Sequence, residues 1–492
     1  MTSPAWRVFE GEVPYRDFST RPTPGTYYML AFLFSTVSAT VTAARLLVVL
    51  LSVTVSLCLQ RIGSRFLKGW WSLLPVVLFV CTGITHFPVV NHHWVGTAGL
   101  FLGILCLVRW DEDPTRLRAA HLGAAVALCW WILQLDGGVL GLTVLLYAFV
   151  FRPPDWMRNL AVMALSFVGA SLLLWSPVLV SAGFQNTFEA SVLEPLQFHV
   201  AWNEVGYSWD PLRSSWGAFQ GGLNRFAFSW PAVAWLGHSL SYLLVWFVKY
   251  GLYYAVLGGS VLAVAYRKGR VPRPLLFVLT AVGLSTLIQS RQDMLYINYM
   301  NTGWYLLLGW LLWEFFPFRA AFAGVVGSIF VVQYGFGFRD SLEYRYPITT
   351  FRGTYYSKNL QEAQFYQTFY NNARALTPPG SYTLAYPYYP SFYFLTGTRN
   401  LSRPPVVLPI AYPDDVLTED IVPRLAETKP TFIYRVPLTQ ESMRDIPNVD
   451  PEEFFAALAR WDQQILADYE IFKDLNVIQI YKRKAEAGSK GQ

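Results

Sequence analysis

Every second connection between the long apolar stretches of this chain is rich in Lys and Arg, and that alternation leaves few folds open. Crossing a bilayer as a helix takes roughly 20 apolar residues. Such stretches fall near residues 40–60, 68–86, 93–109, 118–135, 138–152, 157–181, 240–266, 273–289, 297–316 and 319–336. One set of connections carries Arg61, Arg65 and Lys68; Arg109, Arg116 and Arg118; Arg152 and Arg158; Arg267, Lys268, Arg270 and Arg273; and Arg319. The short connections of the other set hold a single basic residue, Arg291. Basic loops stay on the cytoplasmic side, so the alternation predicts ten spans with the first set inside. The opening residues and the C-terminal part are then expected outside. Only 14% of the residues are charged, against about 25% in soluble domains.

The chain divides by composition. Residues 1–39 read as an outer loop followed by an interfacial helix, because the apolar run 25–38 is too short to span. Residues 40–336 form the transmembrane part. From 337 to 492 charges return, prolines cluster and apolar runs shorten to strand length. Residues 360–376 have helical periodicity and stop at Thr377-Pro378-Pro379-Gly380. Residues 381–386, 431–436 and 477–482 read as strands, with helices at 418–428 and 450–466 between them. The expected fold is a mostly α polytopic membrane protein of about ten spans plus an interfacial helix, carrying a C-terminal extracytoplasmic α/β domain.

Several functions are disfavoured. The net charge of +6 gives no reason to expect a nucleic-acid partner. Cys58, Cys81, Cys106 and Cys129 all lie in apolar runs without ligand spacing, so small buried residues are expected rather than disulfides or a zinc site. No cleavable signal peptide is visible. Nucleotide-binding loops, HExxH and GxSxG are all missing from the sequence. No inverted repeat with matching broken helices, common in secondary transporters, is apparent.

Polar groups do collect at the expected outer ends of the spans. They are Tyr15, Arg16 and Asp17; His86, Asn91, His92 and His93; Gln134 and Asp136; and Arg291, Gln292 and Asp293. Each alone reads more readily as a solvated terminus or a helix cap. Together they suggest a cleft at the membrane–water boundary. Nineteen Trp and 29 Tyr exceed what two interfacial belts need, and aromatic faces suit sugars and isoprenoid chains as well as core packing.

The opening stretch resembles a known loop. Gly11, Pro14, Tyr15, Asp17 and Phe18, followed by Pro22, Pro24 and Arg45, are similar to the first outer loop of GT-C fold glycosyltransferases. The resemblance is to the bacterial glycosyltransferase family 39-like group, related to protein O-mannosyltransferases and the lipid A aminoarabinose transferase. The stretches beginning at Asn91 and Leu133, the loop 290–299 and the tail from Phe351 to Val436 resemble later parts of the same group. The resemblance implies a polyprenyl-phosphate-linked sugar as donor, and a glycan, lipid or protein acceptor. It also implies action on the outer face of the bacterial inner membrane, usually with inversion. Asp17 is then the candidate catalytic carboxylate. Tyr15, Arg16, His92, His93, Asp136, Arg291 and Asp293 are candidates for substrate binding, with Arg291 first and Arg16 second for the carrier phosphate. No metal ligand set is evident, and the need for a divalent metal is left open.

One departure matters. Members of the group carry an acidic residue just after their first span, upstream of the Pro-Tyr-x-Asp motif, and Glu10 and Glu12 do not match it. The sequence therefore raises the expectation of a first transmembrane helix ahead of Met1, carrying the base. Otherwise Asp17 substitutes for that base, or this chain is inactive. The rival readings are a transporter or flippase of a lipid-linked sugar, and a non-catalytic partner in surface-glycan assembly.

Overall fold

The computed structural model describes residues 2–195, 252–288 and 302–485, apart from residues 21, 85–87, 268–269, 410–411, 413, 440–449 and most positions between 319 and 340. The spans expected at 240–266 and 297–316 are thus described in part, and that at 319–336 only at scattered positions. Along the chain run α1 (Thr2–Phe9), α2 (Gly25–Thr36), α3 (Val41–Gly63), α4 (Leu74–Thr82), α5 (His92–Glu112), α6 (Arg116–Ile132), α7 (Gln134–Phe151), α8 (Trp156–Ala182) and α9 (Phe184–Phe188). Then come α10 (Leu252–Tyr266), α11 (Arg273–Ile288) and α12 (Trp304–Phe315). In lipid a helix satisfies all its backbone groups internally, which is why these apolar runs fold this way. Among the described residues, α3, α5, α7 and α8 are long and apolar enough to cross a membrane, and α10, α11 and the segment Gly69–Cys81 are shorter apolar helices. All four cysteines are free thiols.

The chain forms two compact units. One comprises Val48–Trp175 and Glu204–Ser341. In it α5 packs against α6 and α7, α7 against α11, and α12 against α4, α10 and α11. Helix starts are set by capping side chains: Asn91 Oδ1 accepts from the His93 N–H at 3.2 Å, and Thr115 Oγ1 from the Arg118 N–H at 3.4 Å. At the far end of α5, three consecutive acids gather side chains from their own connection and from others. Asp111 accepts from Tyr147 and, at 2.8 Å, from Arg273. Glu112 pairs with Arg65 at 2.9 Å, Asp113 with Arg118 at 3.3 Å, and Arg267 with Glu314. These contacts bring the ends of α3, α5, α7, α10 and α12 and the start of α11 to one side of the bundle.

The other unit comprises Met1–Leu47, Ser176–Asn203 and Leu342–Gln492. Its C-terminal part is an α/β domain with strands β1 (Tyr346–Thr350), β2 (Gly353–Ser357), β3 (Tyr382–Tyr386), β4 (Arg399–Asn400), β5 (Phe432–Arg435), β6 (Tyr469–Asp474) and β7 (Gln479–Arg483). β1 and β2 form an antiparallel hairpin, and the rest make a sheet of order β4-β3-β5-β7-β6. β3 runs parallel to β4 and β5, while β7 is antiparallel to β5 and β6. The alternation of strand side chains supplies two cores. Ala385, Phe432 and Tyr434 pack with Phe369 and Phe392 on one face. Leu384, Tyr386 and Ile433 pack with Ile421, Trp461 and Ile465 on the other. The helices Leu360–Leu376 and Pro451–Ile465 start at side-chain caps from Asn359 and Asp450.

The opening residues belong to this same unit, which no local pattern in them reveals. Trp6 packs edge-on against Phe394, and Phe34 of α2 stacks on Phe394 with centroids 5.2 Å apart. The Arg352 guanidinium lies 3.8 Å above the Trp6 ring. The helix read from residues 25–38 as interfacial therefore has one face on the α/β domain, while Phe32 on its other side is exposed.

Candidate functional site

The predicted site residues fall in both units. In the unit that includes the α/β domain, residues 13–18 form a tight loop. The Tyr15 N–H donates to Phe18 O at 2.8 Å, and the Asp17 N–H to Val13 O at 2.9 Å. Tyr15 has φ +68, in the left-handed region that a bulky residue occupies only when its surroundings hold it there. Its ring is buried and its hydroxyl donates to Pro22 O at 3.2 Å. Tyr15 thus shapes the loop. Burial, then Tyr27, then Glu194 push its hydroxyl well above the ordinary tyrosine value.

Asp17 is the partly open member. One carboxylate oxygen accepts from the Val13 N–H at 2.7 Å, and Arg16 donates to both oxygens at 2.9 and 2.7 Å. Burial pushes this carboxyl up. Hydrogen bonds from Arg16 and Val13, with the charges of Arg16 and Arg7, outweigh it and hold Asp17 below its ordinary value. It is therefore an anion at neutral pH. The Arg16 side chain is 48% exposed, so the pair faces solvent on the Arg16 side.

In the helix-bundle unit, His92 and His93 open α5, with ring centroids 4.0 Å apart. The Thr97 hydroxyl donates to His93 O at 2.9 Å. Asp136 lies in the first turn of α7 and is fully buried. Neither carboxylate oxygen has a hydrogen-bond partner among the described residues. The carboxylate lies against Gly96 of α5, where a Cβ would collide with it. Gly96 follows the two histidines by one helical turn, on their face of α5. The structure thus brings Asp136 to the histidine end of that helix. Arg291 and Asp293 lie outside the described residues. Among the described residues, no group of three or more His, Cys, Asp or Glu side chains is placed to hold a metal ion.

Sequence reasoning missed three residues at the Asp17 loop. Glu194, beyond the π-helical turn Glu189–Leu193, is a second carboxylate in the field of Tyr15. Arg7 and Arg403 bind the loop's carbonyls, Arg7 that of Asp17 and Arg403 that of Tyr15. The only available signal was an unusual one, an arginine inside a short apolar helix.

No protein family matches the sequence, and no curated protein resembles it in sequence. Solved structures do resemble the fold. ArnT from Cupriavidus metallidurans bound to undecaprenyl phosphate superposes with a TM-score of 0.56 at 12% identity, over 99% of this chain and 93% of that one. The same protein in the apo state gives 0.51 at 12% identity, over 98% and 92%. An Archaeoglobus fulgidus oligosaccharyltransferase in complex with Zn and sulfate gives 0.48 at 13% identity, over 95% of this chain and 66% of that one. The likeness to ArnT runs through both the apolar helices and the C-terminal sheet. The chain is a polytopic membrane protein with the fold of ArnT, a GT-C fold.

Proposed function

We propose that this protein transfers a sugar from a polyprenyl-phosphate carrier to an acceptor hydroxyl on the outer face of the bacterial inner membrane. The observation that carries this reading is the fold likeness, over nearly the whole chain, to ArnT bound to undecaprenyl phosphate. Asp17 accepts the proton of the acceptor hydroxyl. The freed oxygen forms a bond to the anomeric carbon, the bond from that carbon to the phosphate oxygen breaks, and polyprenyl phosphate leaves with the electron pair. Arg16, whose side chain is 48% exposed, exchanges Asp17 for the carrier phosphate, which frees the carboxylate and stabilises the leaving anion in one move. Arg291 is assigned the same phosphate, and His92, His93 and Asp293 are assigned to substrate contacts. The acceptor is a glycan, a lipid or a protein.

The orientation rests on the basic connections. Those of α3, α10 and α11 share one side of the bundle with the acidic end of α5, and basic loops mark the cytoplasm. The C-terminal domain is then outside. With the four native cysteines replaced, a cysteine at exposed Tyr388 is expected to react with an impermeant maleimide on spheroplasts. One at exposed Leu117 is expected to react only after lysis. The reverse pattern would invert the orientation and place the proposed chemistry on the wrong face.

Asp136 supports a second reading. A buried carboxylate inside an apolar bundle is also what a carrier of lipid-linked sugars employs. The deciding experiment incubates the purified full chain with a panel of polyprenyl-phosphate sugars, then measures release of polyprenyl phosphate and of transferred or hydrolysed sugar. Release with at least one donor is expected. If every donor stays intact and the carrier instead crosses vesicle membranes containing the protein, the transport reading replaces the transferase.

A further inference from the structure

We infer that the C-terminal α/β domain imposes the conformation of the Asp17 loop, through Arg7 and Arg403 acting as positioning residues. Arg7 sits in the last turn of α1 and is 4% exposed. Its guanidinium serves four groups at once. Nε donates to Glu12 at 2.6 Å, Nη1 to Ser402 O at 2.7 Å and Arg403 O at 3.3 Å, and Nη2 to Asp17 O at 3.0 Å. The guanidinium also covers the Phe18 ring at 4.8 Å. One side chain therefore fixes the residue before the loop, the residues that end it and a turn of the α/β domain. Only a planar fork with separately directed donors can do this; a lysine ammonium cannot.

Arg403 closes the other side. Its Nη2 donates to Tyr15 O at 3.1 Å, and its own carbonyl accepts from the Ser19 N–H at 3.1 Å. Tyr15 is the strained residue, so this bond falls where the loop would relax first. The receiving turn is braced by its own hydrogen bonds. Asn400 Oδ1 accepts from the Ser402 N–H and hydroxyl at 3.1 and 2.9 Å, and its amide donates to Pro404 O at 3.0 Å. Asp420 holds the Arg403 N–H at 2.8 Å. Arg399 adds a tether to Glu10 at 2.9 Å. The loop's internal hydrogen bonds are short and few, and a six-residue loop with a left-handed tyrosine does not hold its shape unaided. Its geometry comes from residues nearly 400 positions away along the chain.

The consequence for catalysis rests on the transferase reading above, but the clamp itself does not. The test compares the full-length protein with Arg7→Lys, with the milder Arg403→Met and with Arg460→Ala, whose exposed ion pair to Asp414 lies elsewhere on the same domain. Hydrogen exchange is followed in the peptide 10–20 and in peptides of β3 and β5. The clamp predicts exchange about tenfold faster in 10–20 for both Arg7→Lys and Arg403→Met, with β3 and β5 unchanged, and no change for Arg460→Ala. With a working donor, kcat falls about tenfold in the same two variants while the donor KM stays within about twofold. Unaltered exchange in 10–20 overturns the clamp. Faster exchange with full kcat overturns the positioning role. If the wild-type chain transfers no sugar, the transferase reading falls and the exchange result alone upholds or overturns the clamp.

Discussion

Asp17→Asn is expected to lower sugar transfer by about a thousandfold while leaving the protein folded. The amide keeps the shape of the side chain and can still accept from the Val13 N–H, so the loop keeps its internal bond. What it loses is the proton acceptor and the ion pair to Arg16. That pair is partly exposed and screened by solvent, so its loss costs little stability. A large drop in kcat with an unchanged unfolding midpoint is therefore the signature of a base. The pH profile adds an independent check. Asp17 is held below its ordinary value, so the base stays ionised as pH falls and is lost only once pH passes through that depressed value. The acid limb of kcat/KM is expected below the ordinary carboxylate range. Arg16→Gln removes both side-chain hydrogen bonds that lower the value, so it should move this limb to higher pH. Transfer by Asp17→Asn within about threefold of wild type would remove Asp17 as base, and Glu194→Gln would be the next variant to assay.

The elements of the α/β domain were legible where the pattern is local. Helix 360–376 carries its own cap and its own Pro-Pro-Gly stop, and the structure has it at Leu360–Leu376. β3 and β5 are apolar enough to declare themselves, being central strands covered on both faces, and β7 shows through its alternation around buried Ile480. The hairpin β1–β2 was missed because Pro347 and Arg352 interrupt its run of β-formers. β6 was missed because it is an edge strand whose charged and apolar residues are nearly all exposed. The site divides the same way. Asp17 and its partner Arg16 are neighbours in sequence and could be read together. Arg7 acts on an acceptor 395 positions away, a distance at which no single-sequence pattern operates. Asp136 was picked out as a polar residue at a span end. Its burial against Gly96 depends on how α5 meets α7, which periodicity does not specify.

The second large effect is expected in the helix bundle, from a single methyl group. Gly123 of α6 faces α8, and a Cβ there would fall inside contact distance of the Met163 carbonyl oxygen and lie 2.9 Å from Met163 C and Cα. Those are backbone atoms, so no rotamer change relieves the clash and α8 must move. Ala119, one turn earlier and fully buried, completes a small-residue ridge on α6 of the kind that lets membrane helices approach closely. Two side-chain bonds depend on that approach: Ser166 donates to Ala120 O at 2.7 Å, and Asn159 to Pro114 O at 3.0 Å. Shifting α8 stretches both. Gly123→Ala should thus cost about 2–3 kcal/mol, the price of overpacking, despite the better helix propensity of alanine. Gly169 on α8 is the matched control, since a Cβ there meets nothing within 4 Å. Gly169→Ala should leave the unfolding midpoint in detergent unchanged or raise it by the propensity difference of about 1 kcal/mol. Equal shifts for the two alanines would mean that α6 and α8 do not meet at Gly123. A lowered midpoint for Gly123→Ala alone would tie the bundle to backbone contact between these helices. It would also explain how α8 leaves its other face to lipid, where Leu165, Leu172 and Leu173 stand exposed.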